Sequence, residues 1–158
     1  MNTISMQKRQ WILEICAFLL ALLFVYTGMS KAVNLEKFHN EINNQPFNNV
    51  WTPYLTLGIP ASELLLTVLV LWPKTRLIGF YGSFLLMATF TIYVALVTFN
   101  FYERIPCGCA TAFEKLSWPQ HLILNSFFML IALTGIYMER KQRKNIHLFD
   151  AKSDAKGL

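Results

Sequence analysis

The chain has 158 residues, of which 54% are hydrophobic and only 15% charged, a balance too apolar for a water-soluble domain of this size. Its formal charge of +5 would suit a nucleic-acid partner, but the basic residues gather at the ends of apolar runs and in the C-terminal tail, where they meet lipid head groups. A soluble enzyme and a nucleic-acid-binding module are excluded, and an all-α polytopic membrane protein remains.

Four segments are long enough to cross a bilayer at about 1.5 Å per helical residue: residues 11–30, 50–72, 77–102 and 117–138. They are expected to form one four-helix membrane domain within 1–158, with residues 139–158 as a basic tail. Lys8, Arg9, Lys74, Arg76, Arg140, Lys141, Arg143, Lys144, Lys152 and Lys156 fall on one side; Lys31, Lys37, Arg104 and Lys115 fall on the other. The richer side is expected to be cytoplasmic, with both termini inside, as for a multi-pass protein of the cell inner membrane. The segment between the third and fourth spans then faces outward, into the periplasm of a Gram-negative cell.

Residues 1–10 are polar and basic, and the apolar run from Trp11 resembles a signal peptide at first sight. Its length, the lack of a small-residue cleavage site and the three later spans make it a retained helix. Glu14 suits the first turn of that helix. Cys16 lies a bilayer away from the other two cysteines and is read as a small core residue. The span ends in Tyr26-Thr27-Gly28-Met29-Ser30-Lys31, where Gly28 permits close helix contact. Lys31 is either a snorkelling interfacial lysine or the partner of a buried acid. Residues 34–49 are rich in Asn, with Phe38 and Phe47 among them, and read as a loop that lies on the outer surface as a short cap, without a catalytic constellation.

The second span opens at Trp51-Thr52-Pro53, with Pro acceptable in a first turn. Pro60 then falls inside it and Glu63 follows three residues later. An ionisable group in this position is costly and is a functional candidate by default. Glu63 can be protonated, paired with Lys31, or bonded to backbone that Pro60 frees; a structural pairing and a direct part in proton or quinone chemistry are both open. Pro73-Lys74-Thr75-Arg76 reads as a tight basic turn into the third span. There Thr89, Thr91, Tyr93, Thr98 and Asn100 are expected to bond across the bundle. Ser117-Trp118-Pro119-Gln120 reads as a helix start with Ser117 as N-cap and Gln120 at the capping-box position. His121 and Asn125 lie four apart on one face of the last helix, and His121 is a candidate to promote thiolate formation nearby. Trp11, Trp51, Trp72 and Trp118 all fall at span edges, as an aromatic belt does.

Ile105-Pro106-Cys107-Gly108-Cys109 carries the most chemistry. Two cysteines one residue apart close a disulfide only in a very small ring, which Gly108 helps to curl. Strain of that kind raises the reduction potential, so the pair is expected to exchange electrons with another dithiol rather than to staple the fold. Metal binding is disfavoured, because two thiolates with His121 make an incomplete ligand set. Arg104, three residues before Cys107, can lower its pKa, which favours Cys107 as the attacking thiolate and Cys109 as the resolving thiol.

The end of the first span at Tyr26 to Lys31 with Phe38, Ile59-Pro60 with Glu63, Arg76-Leu77, and Ile105 to Cys109 leading to Trp118, His121 and Asn125, stand in an order that resembles the MauE branch of the DoxX-like membrane proteins. The resemblance extends from about Trp11 to Met138. It implies a four-helix membrane bundle that forms or handles disulfides of exported proteins, often beside a thioredoxin-like periplasmic partner. The family commonly continues after the second cysteine with Phe-Gly or Gly-Gly, whereas this chain has Ala110-Thr111.

The leading expectation is therefore a membrane thiol-disulfide exchange protein using Cys107 and Cys109, with Arg104, Gly108, His121, Asn125, Lys31 and Glu63 in support. Its partners are the lipid bilayer and a periplasmic thioredoxin-like or client protein, amine-dehydrogenase-type clients included. No metal is expected, and a quinone is the candidate cofactor. Two other classes compete: a non-catalytic assembly factor or subunit with a structural dithiol, and a small transporter organised around Glu63.

Overall fold

The computed structural model describes residues 3–45, 48–99 and 117–154, with side chains for 7–45, 48–99, 117 and 119–145. Among them there are five α-helices and no strand: α1 (Thr3–Val33), α2 (Leu35–Asn43), α3 (Thr52–Leu71), α4 (Arg76–Thr98) and α5 (Trp118–Asp154), with one 3-10 turn at Asn49–Trp51. Four of the helices, α1, α3, α4 and α5, are long and apolar enough to cross a membrane. Helices suit that solvent because each backbone N–H and C=O is satisfied within its own segment. The chain is a multi-pass membrane protein.

The four long helices run alternately up and down and pack in a ring, α1 against α3, α3 against α4, α4 against α5 and α5 back against α1. Consequently the C-terminal end of α1, the whole of α2, the start of α3, the end of α4 and the start of α5 share one end of the bundle. The segment that links α4 to α5 is attached there too. Both termini are attached to the opposite end.

Each long helix buries one stripe. On α1 it is Leu13, Cys16, Ala17, Leu20, Phe24 and then Lys31; on α4 it includes Phe80, Ser83, Met87, Val94 and Val97. These positions recur at the helical period, while Ile15, Phe18 and Leu22 on the other side of α1 are exposed and apolar, as lipid requires. Cys16 packs in the core among these residues. Trp51 and Trp72 are exposed at the two ends of α3, and Trp11 is exposed on α1 where its apolar run begins, positions at which indole rings reach the interface.

Small residues let the helices approach. A Cβ on Gly79 would lie 2.6 Å from the Val70 backbone nitrogen, so α4 leaves the α3–α4 turn against bare backbone, and a Cβ on Gly135 would lie 2.4 Å from the Phe80 ring. Polar groups close the terminal end. Arg76 makes a two-pronged contact with Glu14 at 3.0 and 3.3 Å and donates to the Val70 carbonyl at 3.3 Å. Arg143 joins Glu139 at 3.0 Å and reaches the Lys74 carbonyl at 3.2 Å, tying α5 to the α3–α4 turn. Helix α5 continues through the basic residues expected as a tail and ends at Asp154.

Two expectations change. Residues 35–43 are not a plain loop but the amphipathic helix α2, which buries Phe38 and Ile42; the run is short and Asn-rich, and its helicity comes from docking on the bundle. The threonines of α4 do not bond across the bundle: Thr89, Thr91 and Thr98 each donate to the carbonyl four residues earlier, at 2.9, 2.6 and 2.7 Å. Away from water the acceptor on the preceding turn is the closest one to a threonine hydroxyl. Tyr93 alone of that set is described crossing to another element, donating to Gln45. Asn100 lies outside the described residues.

A buried ion pair beneath the cap helix

The described part of the site is built where α1 and α3 cross. Gly28 makes the crossing close: a Cβ there would come within 3.3 Å of both Glu63 Cβ and the Leu64 side chain. Three residues on from Gly28, Lys31 turns its side chain back toward the N-terminus of α1, into the bundle, as helical side chains do. Glu63 leans toward the N-terminus of the antiparallel α3, which is the opposite direction in space. The two groups meet head to head, Lys31 Nζ to Glu63 Oε1 at 2.5 Å.

Both partners are buried, with side-chain exposures of 9% and 2%. Two rings bracket the ammonium, Phe38 of α2 at 5.8 Å and Phe90 of α4 at 5.7 Å from ring centroid to nitrogen, a distance at which the ring quadrupole attracts a cation. Thr27, one turn before Lys31, gives its hydroxyl proton to the Leu23 carbonyl at 3.0 Å. Glu63 Oε2 is buried and has no hydrogen-bond partner among the described residues. Of the three environments open to Glu63 from its sequence, the structure selects the pairing with Lys31.

Helix α2 lies over this pair and is tied down by polar bonds. Thr56 donates to the Thr52 carbonyl at 2.7 Å, so His39 Nδ1 is the donor in its 3.2 Å contact with the Thr56 hydroxyl. Thr52 donates to Asn43 Oδ1 at 3.4 Å. Gln45, just past α2, donates to the Glu41 carbonyl at 2.9 Å and accepts from Tyr93. Glu41 is half-buried on the same side; burial pushes its carboxyl upward, while Lys37 and Lys31 draw it down.

His121 sits in the first turn of α5, with Nδ1 3.2 Å from the Ser117 carbonyl. Gln120 accepts from the Ser117 N–H at 2.8 Å, which is half of a capping box and starts the helix where the sequence places it. Asn125 follows one turn later, half-buried. Arg104, Cys107, Gly108 and Cys109 lie outside the described residues. Lys31 and Glu63 are thus brought together, whereas the thiols are fixed only as to which helix ends their segment joins.

The family model described as methylamine utilisation protein MauE matches residues 9–138. The chain belongs to the MauE family. The match takes in all four long helices, α2, the Lys31–Glu63 pair and the Cys107-Gly108-Cys109 segment. No curated protein and no solved structure matches the chain significantly. Within this MauE-family bundle, Phe90, Glu41, Gln45 and His39 went unnoticed in the sequence as members of the site. A signal was present for the α2 residues: Phe38, Glu41, Ile42 and Gln45 recur at three- and four-residue spacing, the stripe of a helix. Among the described residues, no group of three or more His, Cys, Asp or Glu is placed to hold a metal.

Proposed function

We propose that this MauE-family protein exchanges disulfides with a protein outside the membrane through Cys107 and Cys109. The observation that carries the reading is the Cys-Gly-Cys sequence in the segment joining α4 to α5, within a family model named for methylamine utilisation. In the exchange, the Cys107 thiolate attacks one sulfur of a partner's disulfide. The partner's S–S bond breaks, a mixed disulfide forms, and one partner thiolate leaves and takes up a proton. Cys109, losing its proton, attacks Cys107 Sγ, expels the second partner thiol and closes the Cys107–Cys109 disulfide. Two electrons and two protons have passed to the partner. Run backwards, the same steps oxidise a client dithiol. The client is a periplasmic protein with disulfides to be made or corrected, and the family description points to the proteins of methylamine oxidation.

Arg104 supports the thiolate of Cys107 by charge, and Gly108 allows the tight turn between the sulfurs. The Lys31–Glu63 pair serves as the internal anchor that holds α1, α3 and the overlying α2 in register at the end where the dithiol segment is attached. That pairing also favours a structural part for Glu63 over a transport pathway organised around it.

Trapping tests the reading. Cys109→Ser should accumulate a covalent adduct with a periplasmic protein that dithiothreitol releases, and Cys107→Ser should not. An adduct in the Cys107→Ser variant alone would reverse the two roles. If neither variant forms an adduct, and periplasmic disulfides form normally with both cysteines replaced by serine, thiol exchange is excluded.

A further inference from the structure

The Lys31–Glu63 pair uses one oxygen of Glu63, and the charge of the same lysine also acts on a second carboxylate, Glu41 of α2. Phe38 and Glu41 are three residues apart on the inward side of α2, and the Phe38 ring lies over the Lys31 nitrogen at 5.8 Å. Glu41 is held there by the bond from Gln45 Nε2 to its backbone carbonyl and by the bond from Tyr93 to the Gln45 side chain. Its Oε2 is buried and, like Glu63 Oε2, has no hydrogen-bond partner among the described residues. One ammonium therefore pairs with Glu63 and acts at longer range on Glu41, and each carboxylate keeps an oxygen without a hydrogen-bond partner among the described residues.

We propose that Glu41 is a proton-binding site on the inner side of α2, and that it competes with Glu63 for the Lys31 ammonium. A carboxylate removed from water takes a proton unless a cation or several donors stabilise it. While Lys31 stays on Glu63, Glu41 lacks a full partner and a proton completes it. If Lys31 turns toward Glu41, that proton is released. Among the described residues, the other titratable groups at this end are Tyr26 on α1, Glu36, Lys37 and His39 on α2, Tyr54 on α3, Tyr93 on α4 and His121 on α5. Lys37, one turn before Glu41 on α2, is the stronger of the two cations acting on it and Lys31 the weaker; Lys37 is exposed, so salt screens its charge more than that of the buried Lys31. Since α2 carries Glu41 and α3 carries Glu63, the proton couples the seating of the cap helix to the buried pair. None of this requires Cys107 or Cys109.

The test is a pH titration of the Glu41 carboxyl by infrared spectroscopy, on full-length protein in lipid nanodiscs. Difference spectra against Glu41→Gln isolate its signal, and a Cys107→Ser, Cys109→Ser background separates the result from thiol exchange. Glu63→Gln frees the ammonium and should weaken proton binding at Glu41 about tenfold, lowering the midpoint by about one pH unit. Lys31→Met should raise it by a similar amount, and Lys31→Arg, which keeps the charge, should stay close to the wild type. Should Lys31→Met fail to fold, Glu63→Gln and Lys31→Arg decide the matter. A Glu41 midpoint in folded Glu63→Gln protein equal to that of the wild type would overturn the proposal.

Discussion

Lys31 and Glu63 meet inside the bundle because α1 and α3 run antiparallel and cross at Gly28, so that side chains leaning toward their own helix N-termini converge. Glu63 lies eleven residues into α3, which puts it about 16 Å along that helix. A lone charge at that depth would be costly, and the pair removes most of that cost. Breaking it from one side leaves the other charge stranded.

Glu63→Leu is accordingly expected to destabilise the protein by about 3–5 kcal/mol, since Lys31 then stays buried without a counter-charge. Glu63→Gln retains an oxygen that accepts from Lys31 and should cost about 1–3 kcal/mol. The double variant Lys31→Met, Glu63→Leu should regain much of the loss, because two apolar groups can replace a buried pair at little cost. Thermal unfolding in one detergent, compared across the four proteins, checks this order. Equal stability of Glu63→Leu and wild type would mean that Glu63 is hydrated.

Two glycines make a matched pair of opposite sign. At Gly79 a Cβ would meet Val70 backbone at 2.6 Å, and backbone in a tight helical turn cannot move aside. Gly79→Ala should therefore separate α3 from α4 and cost more than about 1 kcal/mol. At Gly58 a Cβ meets nothing within 4 Å, so Gly58→Ala should be neutral, or stabilising by about 0.5–1 kcal/mol through helix propensity. The comparison is again one of unfolding midpoints. A larger loss at Gly58 than at Gly79 would contradict the observed packing.

The thiols give a topological prediction. Cys16 is buried in the bundle core, and burial shields a thiol from reagents. In intact spheroplasts treated with mild reductant and a membrane-impermeant maleimide, Cys107 or Cys109 should be labelled and Cys16 spared. Labelling of Cys16 alone would reverse the orientation drawn from the Lys and Arg distribution.

Much of this protein was legible without its fold. Four apolar runs of bilayer length, tryptophans at their edges and the Ser117–Gln120 helix start all depend on residues near one another in the chain. Local physics, hydrocarbon solvation and capping, decides such features. Family membership was legible too, because a spaced series of residues carries it. Two other readings failed for a shared reason. The threonines of α4 turn to their own helix, and residues 35–43 become a helix, because the choice between a local and a distant partner depends on what lies next to them.

By itself, then, the sequence determined the all-helical membrane architecture, the membership of the family and the placing of two cysteines between the last two spans. It named Lys31 and Glu63 as candidates and left three environments open for Glu63. Only the tertiary structure decided among them, because the contact joins residues 32 apart in the chain through a helix crossing that Gly28 permits. The rings of Phe38 and Phe90 and the second carboxylate at Glu41 likewise come from different helices, and no periodicity within one helix reports what a neighbouring helix brings to its side. Pairing inside a bilayer is a question of which groups share the same depth and face, and packing alone sets both.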